Sequence, residues 1–424
     1  MRKIPFFLII ACLCFCSCMT QTEKVQVKSK NGKKGLTLMV YMAADNDLEA
    51  YAISNLRAME KAATGGVNVL VLLDRAEGYD ETCGNWTDTR LFEVVHDSGA
   101  GAAGAGASGT AATGLKSKRI SCPALGLNAA EDTELDLANP SVLRGFVEFC
   151  KASYAAERYA LIIWGHGTGW KAFAVDDHTG TYMSVKELGG AVRGQGLSVI
   201  GFDTCFGGVL ENLYELKDCA DYVVACPGVT PSSGWDYKGL LEGLSGGECG
   251  AREAALTMAE SSSVQTGAFD CSRLGGLFTS FEAFSKALSD TITDSQSRTS
   301  TLTALLGIKS YSYTQNPCDL YIDIFSMANL YTASSEAALA EKAGLLKEAV
   351  EQTSLTVASY RGGIGVHLIP KSSSGALAAS HSSDYVKGQQ RTDQSAFIKE
   401  SLWWVPTEGG NSSSLLDKLF YRVY

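Results

Sequence analysis

A histidine and a cysteine stand just beyond the ends of two apolar runs. The first run is Tyr159-Ala-Leu-Ile-Ile-Trp164, followed by Gly165-His166-Gly167; the second is Leu197-Ser-Val-Ile-Gly-Phe202, followed by Asp203-Thr204-Cys205-Phe206-Gly207-Gly208. A free thiol has a pKa of about 8.5 and is mostly protonated near neutrality. An imidazole within reach can take that proton and return it to a leaving amine. The pair therefore predicts a thiol nucleophile with a histidine base, acting on a carbonyl. Flanking glycines let a substrate backbone come close, and the N–H groups of Gly167 and Cys205 are the expected oxyanion-hole donors. Alone, Cys205 would read as a buried thiol and His166 as a strand-end residue. Their joint placement favours chemistry.

The elements that must hold them are legible. Between the two runs, Ser184 to Arg193 carries Val185, Leu188 and Val192 at helical spacing, with Ser184 as cap. Strand, helix and strand make a parallel crossover, whose strands are buried and continuously apolar. Ligands bind beyond the carboxyl ends of such strands, which is where His166 and Cys205 fall. A helix expected over Val209 to Leu216 would place Cys205 near a helix N-terminus, favouring thiolate. Upstream, Gly35 to Ala43 reads as a strand and Leu48 to Lys61 as a helix. Asp45, Asn46 and Asp47 between them read as its cap, or else as a cation or substrate contact. Val67 to Leu73 and Asp221 to Cys226 are further buried strands, Leu91 to Val95 an edge strand, and His96 a surface residue. Asn139-Pro140 opens a helix to about Ala156.

Ala160-Leu-Ile-Ile-Trp-Gly-His-Gly-Thr-Gly-Trp170 and Ile200-Gly-Phe-Asp-Thr-Cys-Phe-Gly-Gly208 resemble the catalytic His and Cys motifs of the clostripain family of cysteine peptidases, of the caspase-like clan. The resemblance extends to Leu38-Met-Val-Tyr-Met-Ala-Ala-Asp-Asn-Asp-Leu48, to Tyr214 through Ala225, and to Gly234-Trp235. It implies a caspase-like α/β fold: a three-layer sandwich with a mostly parallel central sheet and helices on both faces, plus a helical C-terminal elaboration. The catalytic domain would span residues 36–290, with residues 291–424 packed on it. The resemblance also gives Asp203 the pocket for the residue before the scissile bond, hence cleavage after Arg or Lys. On the residues alone, Asp203 points the same way as Cys205 by strand alternation. It reads equally as a loop orienter, a helix cap or the partner of His166. Family members often carry acidic residues where this chain has Pro227-Gly-Val-Thr-Pro-Ser-Ser-Gly-Trp235; here none appears before Asp236. Trp235 reads as a pocket wall or as a packed loop residue. Self-cleavage after the catalytic His, known in the family, finds no Lys or Arg between Lys171 and Lys186. No cofactor is expected, except that the resemblance suggests a calcium response. Asp45, Asp47, Asp176 and Asp177 are its candidate ligands, without a calcium-loop pattern.

The chain has 424 residues and a net charge of −10, which argues against a nucleic-acid partner. It holds no Walker loop, no dinucleotide fingerprint and no Gly-x-Ser-x-Gly elbow. Arg2 and Lys3 precede an apolar stretch from Ile4 to Phe15, as in a targeting segment. Phe15-Cys16-Ser17-Cys18 resembles a lipoprotein box, with residues 1–18 as signal peptide, Cys18 lipidated, and residues 19–35 a polar tether. An ordinary secretory signal cut near Ser17 is the alternative. The expected place is the bacterial cell envelope, held to the outer membrane or cell surface by lipid, or else secretion. Nine cysteines follow, an odd number, so at least one is unpaired, and Cys205 is the candidate. Ser98 to Gly114 is a Gly/Ala/Ser/Thr loop, and Lys116-Ser-Lys-Arg119 after it is a solvated loop or a processing site. Farther on, Ser289 to Ser300 reads as a loop, Ile322 to Tyr331 and Ser335 to Thr353 as helices, and Ile364 to Ile369 as a strand with His367 in its core. The expected function is an exported cysteine endopeptidase acting on a peptide or protein. The rival is a non-catalytic surface lipoprotein that uses the fold as a binding module.

Overall fold

The computed structural model describes residues 34–98, 114–245, 250–313, 316–356, 363–368, 397, 401–403 and 415–420. The expected signal peptide with Cys18, nearly all of the tether, and the Gly/Ala-rich residues 99–113 lie outside the described residues. In chain order the elements are β1 (Lys34–Ala44), α1 (Glu49–Ala62), β2 (Val67–Arg75), β3 (Thr89–Glu93), β4 (Lys118–Ile120), α2 (Pro140–Ser153), β5 (Ala156–Trp164), β6 (Phe173–Asp176), β7 (Thr181–Met183), α3 (Val185–Val192), β8 (Leu197–Asp203) and α4 (Leu210–Glu215). There follow β9 (Ala220–Ala225), α5 (Tyr237–Leu244), α6 (Ala251–Glu260), β10 (Gly267–Asp270), α7 (Cys271–Asp290), α8 (Ser295–Leu306), β11 (Ser310–Tyr313), β12 (Asn316–Asp323), α9 (Ile324–Tyr331), α10 (Ala337–Thr353), β13 (Gly365–His367) and α11 (Leu415–Phe420).

The central sheet runs β10-β9-β8-β5-β1-β2-β3-β4. Its five middle strands are parallel, and β10, β3 and β4 are antiparallel at the edges. Alternation along β1 shows why both faces are covered. Met39, Tyr41 and Ala43 face one core with α2, α3, α4 and α7, while Leu38, Val40 and Met42 face a second core with α1, α5 and α6. This is the expected three-layer sandwich. The crossover helix α3 starts on a capping box: Ser184 accepts from the Glu187 N–H, and Glu187 returns to Ser184.

The part beyond α7 differs from expectation. A helical elaboration is too simple, because β11, β12 and β13 form a second, antiparallel sheet. Ile322 and Asp323 end a strand before α9 begins. The polar stretch read as a loop is largely α8, started by Asp294, whose side chain accepts from the Ser297 N–H. The first core cluster runs through both parts: Tyr321, Val366, Leu346 and Trp403 belong to the same cluster as Leu161 and Phe202. The basic stretch Lys116–Arg119 is not a loose loop either. Lys118 and Arg119 lie in β4, and Arg119 pairs with Asp88 and Asp132. Among the described residues no helix is long and apolar enough to cross a membrane.

Candidate active site

β5 and β8 pair in parallel, with Trp164 opposite Asp203. Two residues on, each strand delivers one reactive group, His166 or Cys205, to the same rim. Both line a cleft of about 50 Å³ whose other walls include Leu48, Trp164, Asp203, Thr204 and Thr230. The two loops are tied together: the Gly165 N–H donates to the Asp203 carbonyl at 3.4 Å. Gly167 packs so tightly on the cysteine turn that a Cβ there would lie 2.4 Å from the Cys205 carbonyl oxygen.

Cys205 opens a tight turn in which Phe206 takes a left-handed φ of 54°, an uncommon conformation for a bulky residue. The turn is fastened by Asn212, whose Nδ2 donates to the Phe206, Gly207 and Gly169 carbonyls at 3.3, 3.3 and 3.2 Å. One side chain thus holds both the cysteine turn and the loop after His166. The helix α4 begins only at Leu210, with Val209 before it. Cys205 is therefore beyond the reach of the helix dipole, which fades within the first turn. That expected aid to the thiolate is absent. The thiol instead sits against Thr230, accepting from its N–H at 3.4 Å and donating to its carbonyl at 3.6 Å. Burial pushes the thiol up, the Thr230 N–H draws it down, and the nearby Asp203 charge adds to the rise. A thiol raised in this way needs a base before it can act as a nucleophile.

His166, 40% exposed, places Nε2 2.7 Å from Asp47 Oδ1. No hydrogen bond joins His166 to Cys205. Asp47 is the residue that sequence reasoning missed as an imidazole partner. The motif reads in sequence as a helix cap or as a cation or substrate contact, yet α1 starts without a side-chain cap; Asn46 instead pins the turn before it, with Oδ1 accepting from the Leu48 N–H at 3.1 Å and Nδ2 donating to the Ala43 and Val175 carbonyls. Asn46 so pinned leaves Asp47 to reach His166. The Gly167 and Cys205 N–H groups donate to no backbone carbonyl among the described residues. Asp203 is not the partner of His166. It is buried, with Oδ2 accepting from the Trp235 N–H and Tyr237 Oη, both at 3.0 Å.

Burial raises the Asp203 carboxyl to about 7, against the pull of its Trp235 and Tyr237 bonds. Its Oδ1 has no partner, nor do the buried Asn55 Nδ2 and Trp164 Nε1. These side chains gather around Gly234, whose φ of 68° suits glycine and where a Cβ would meet Asp203 Oδ2 at 2.5 Å. The Trp235 ring does not wall the cleft. It is buried in the second core against Gly201, so the residue serves the site through its backbone N–H alone. His367 is buried beside Trp170 and Tyr321, away from the cleft, and His96 is exposed. The described cysteines 83, 122, 150, 205, 219, 226 and 271 are all free thiols.

Comparison with known proteins agrees with this geometry. The model of the clostripain family, a peptidase family, matches residues 40–375. Clostripain from Hathewaya histolytica is 24% identical over 261 residues, which cover 54% of this chain and 46% of that protein, less than half its length. A secreted C11 cysteine protease from Bacteroides thetaiotaomicron, solved with an irreversible peptide inhibitor, superposes with a TM-score of 0.57 at 17% identity, covering 84% of this chain and 97% of that one. An inactive zymogen C11 protease from Parabacteroides distasonis gives the same score and identity, over 84% and 96%. At such identity the solved structures speak to the shared fold.

Proposed function

The chain belongs to the clostripain family, and from that premise we propose that it is an exported cysteine endopeptidase cleaving peptide bonds after Arg or Lys. The observation that carries the reading is the pairing of Trp164 with Asp203, which brings His166 and Cys205 to one cleft. In the proposed reaction the imidazole takes the Cys205 proton and sulfur attacks the carbonyl carbon. The Gly167 and Cys205 N–H groups hold the oxyanion, His166 protonates the leaving amine, and water then releases the acyl group. Asp47 fixes the ring by one nitrogen and leaves the other for sulfur and leaving group. The unpartnered Oδ1 of Asp203 supports the choice of a basic residue, since an Arg or Lys head group would supply the missing donors and the compensating charge. Export through the leader and lipidation at Cys18 complete the proposal, with secretion as its alternative.

Fluorogenic peptides differing only in the residue before the cut test this directly, on the chain from about residue 34. Turnover of Arg or Lys peptides that disappears in Cys205→Ala is expected. Turnover confined to neutral peptides would remove Asp203 as selector while keeping the dyad. If no peptide turned over and a peptide chloromethyl ketone failed to label Cys205, the protein would be a binding module.

A further inference from the structure

One thiol close to Cys205 has no part in the proposed reaction. Phe202 of β8 pairs with Ala225 of β9, so Cys226 leaves the sheet beside Asp203, two residues before Cys205. The turn that bears Cys205 is stitched to the segment that begins at Cys226. The Phe206 N–H donates to the Gly228 carbonyl at 2.7 Å, and the Gly208 N–H to the Cys226 carbonyl at 2.8 Å. Thr230 then lies against both thiols: its N–H donates to Cys205 Sγ at 3.4 Å, and its side chain bears on Cys226.

The two thiols are unlike. Cys205 is partly exposed and lines the cleft, where a small solute reaches it. Cys226 is buried, with Sγ accepting from the Gly228 N–H at 3.3 Å. Burial raises this thiol to about 11 against the pull of that bond, and the Cys205 charge adds to the rise. A thiol so raised holds little thiolate and waits for an electrophile placed next to it. Two other pairs of described thiols act on one another, Cys122 with Cys150 and Cys219 with Cys271, and neither pair lines the cleft.

We propose that a hydroperoxide joins Cys205 and Cys226 in a reversible disulfide, with Cys205 the thiol that is oxidised and Cys226 the thiol that resolves it. In the first step the Cys205 sulfur, as thiolate, attacks one peroxide oxygen. The O–O bond breaks, sulfur gives up two electrons, the other oxygen leaves as water after taking a proton, and Cys205 becomes a sulfenic acid. In the second step the Cys226 sulfur attacks the Cys205 sulfur. The S–O bond breaks, and the hydroxide departs with the Cys226 proton as a second water. Two thiol hydrogens are lost and one hydrogen peroxide is reduced. The bond blocks the nucleophile while it lasts and keeps its sulfur from irreversible oxidation to sulfinic and sulfonic acids. A small thiol then restores both cysteines by exchange. The inference rests on Cys205 as the reactive thiol, and not on which peptide bond is cut.

The test reads mass and alkylation, so that it stands apart from turnover. The full chain is reduced, freed of reductant and treated with hydrogen peroxide in slight excess. Peptide mapping with fragmentation should find Cys205 linked to Cys226, the pair two hydrogens lighter and free of added oxygen. Cys226→Ser should instead carry two or three oxygens on Cys205, and dithiothreitol should return at least about tenfold less alkylatable Cys205 than in the parent. Cys83→Ser should behave as the parent. If Cys226→Ser fails to fold, the map of the parent decides alone. Oxygens on Cys205 without a link to Cys226, a link from Cys205 to any other cysteine, or equal recovery in Cys226→Ser would each overturn the inference. A Cys205 that takes up neither oxygen nor link would overturn it together with the reading of that thiol as the nucleophile.

Discussion

Two carboxylates near His166 and Cys205 have opposite environments. Asp47 is 64% exposed and bonds His166 from the solvent side; Asp203 is buried and holds its proton to about pH 7. Replacing Asp47 by Asn or Ala should lower kcat on the order of ten- to a hundredfold while leaving KM and the melting temperature nearly unchanged. The loss falls short of that in a buried triad because water competes for an exposed bond. A parallel fall in Cys205 alkylation rate would assign the effect to the imidazole, and an unchanged kcat would remove Asp47 from the mechanism. Asp203 makes a different prediction. An unfolded Asp titrates near about 3.9, so between roughly pH 4 and 7 the folded chain keeps a proton that the unfolded chain has lost. That contribution to stability is full below the unfolded value and is lost as pH rises through about 7. Asp203→Asn cannot ionise, so its denaturation midpoint should decline less between pH 5 and 8 than that of the parent. The same variant should raise KM for Arg peptides and spare neutral ones.

At the scale of elements, a tight turn after β8, and not a helix N-terminus, presents the thiol. Its geometry depends on Asn212, which satisfies three carbonyls from two loops. Asn212→Ala would remove this donor, at a cost of roughly 1–3 kcal/mol for a buried group left unsatisfied. A loss of about 2 kcal/mol or more in urea unfolding is therefore expected, with a larger fall in kcat than in KM because the oxyanion donors shift. A fully active, fully stable variant would show that the turn holds itself. This part of the molecule also marks where sequence reading succeeds. The apolar runs of β5 and β8 announce buried parallel strands, and Ser184 with Glu187 announces a helix start. The runs end at the reactive residues, so His166 and Cys205 were legible together. The Asp47 contact was not, because which member of Asp45-Asn46-Asp47 pins the turn and which reaches His166 depends on a bond to Val175, 129 residues away. α8 was missed because its Ser- and Thr-rich sequence buries little more than Thr301 and Leu305. β12 was missed in part because one of its two partners, β13, lies far along the chain.

Over the whole molecule, the C-terminal stretch behaves as a buttress to the turns that bear His166 and Cys205. Gly365 of β13 donates its N–H to the Gly208 carbonyl at 3.1 Å, just after the cysteine turn. Tyr321 of β12 donates to the Thr168 carbonyl at 3.4 Å, just after the histidine. The second sheet thus braces both reactive loops from behind. It is clamped in turn by Trp403, buried in the common core, whose Nε1 donates to the His367 carbonyl at 2.9 Å. Glu282 of α7 accepts from Ser401 Oγ at 2.7 Å and from the Leu402 N–H. A shared core predicts a single cooperative unfolding transition, with no catalytic domain that survives alone. Removing the Trp403 side chain should cost about 3–5 kcal/mol, the range for a buried aromatic cut to Ala. Because the clamp stands behind the loops and not in the cleft, Trp403→Ala should also lower kcat at temperatures where the protein remains folded. Calorimetry and kinetics on that one variant decide the matter. Two separate transitions, the first without loss of activity, would mean that the C-terminal part is an appendage and that the catalytic turns stand without it.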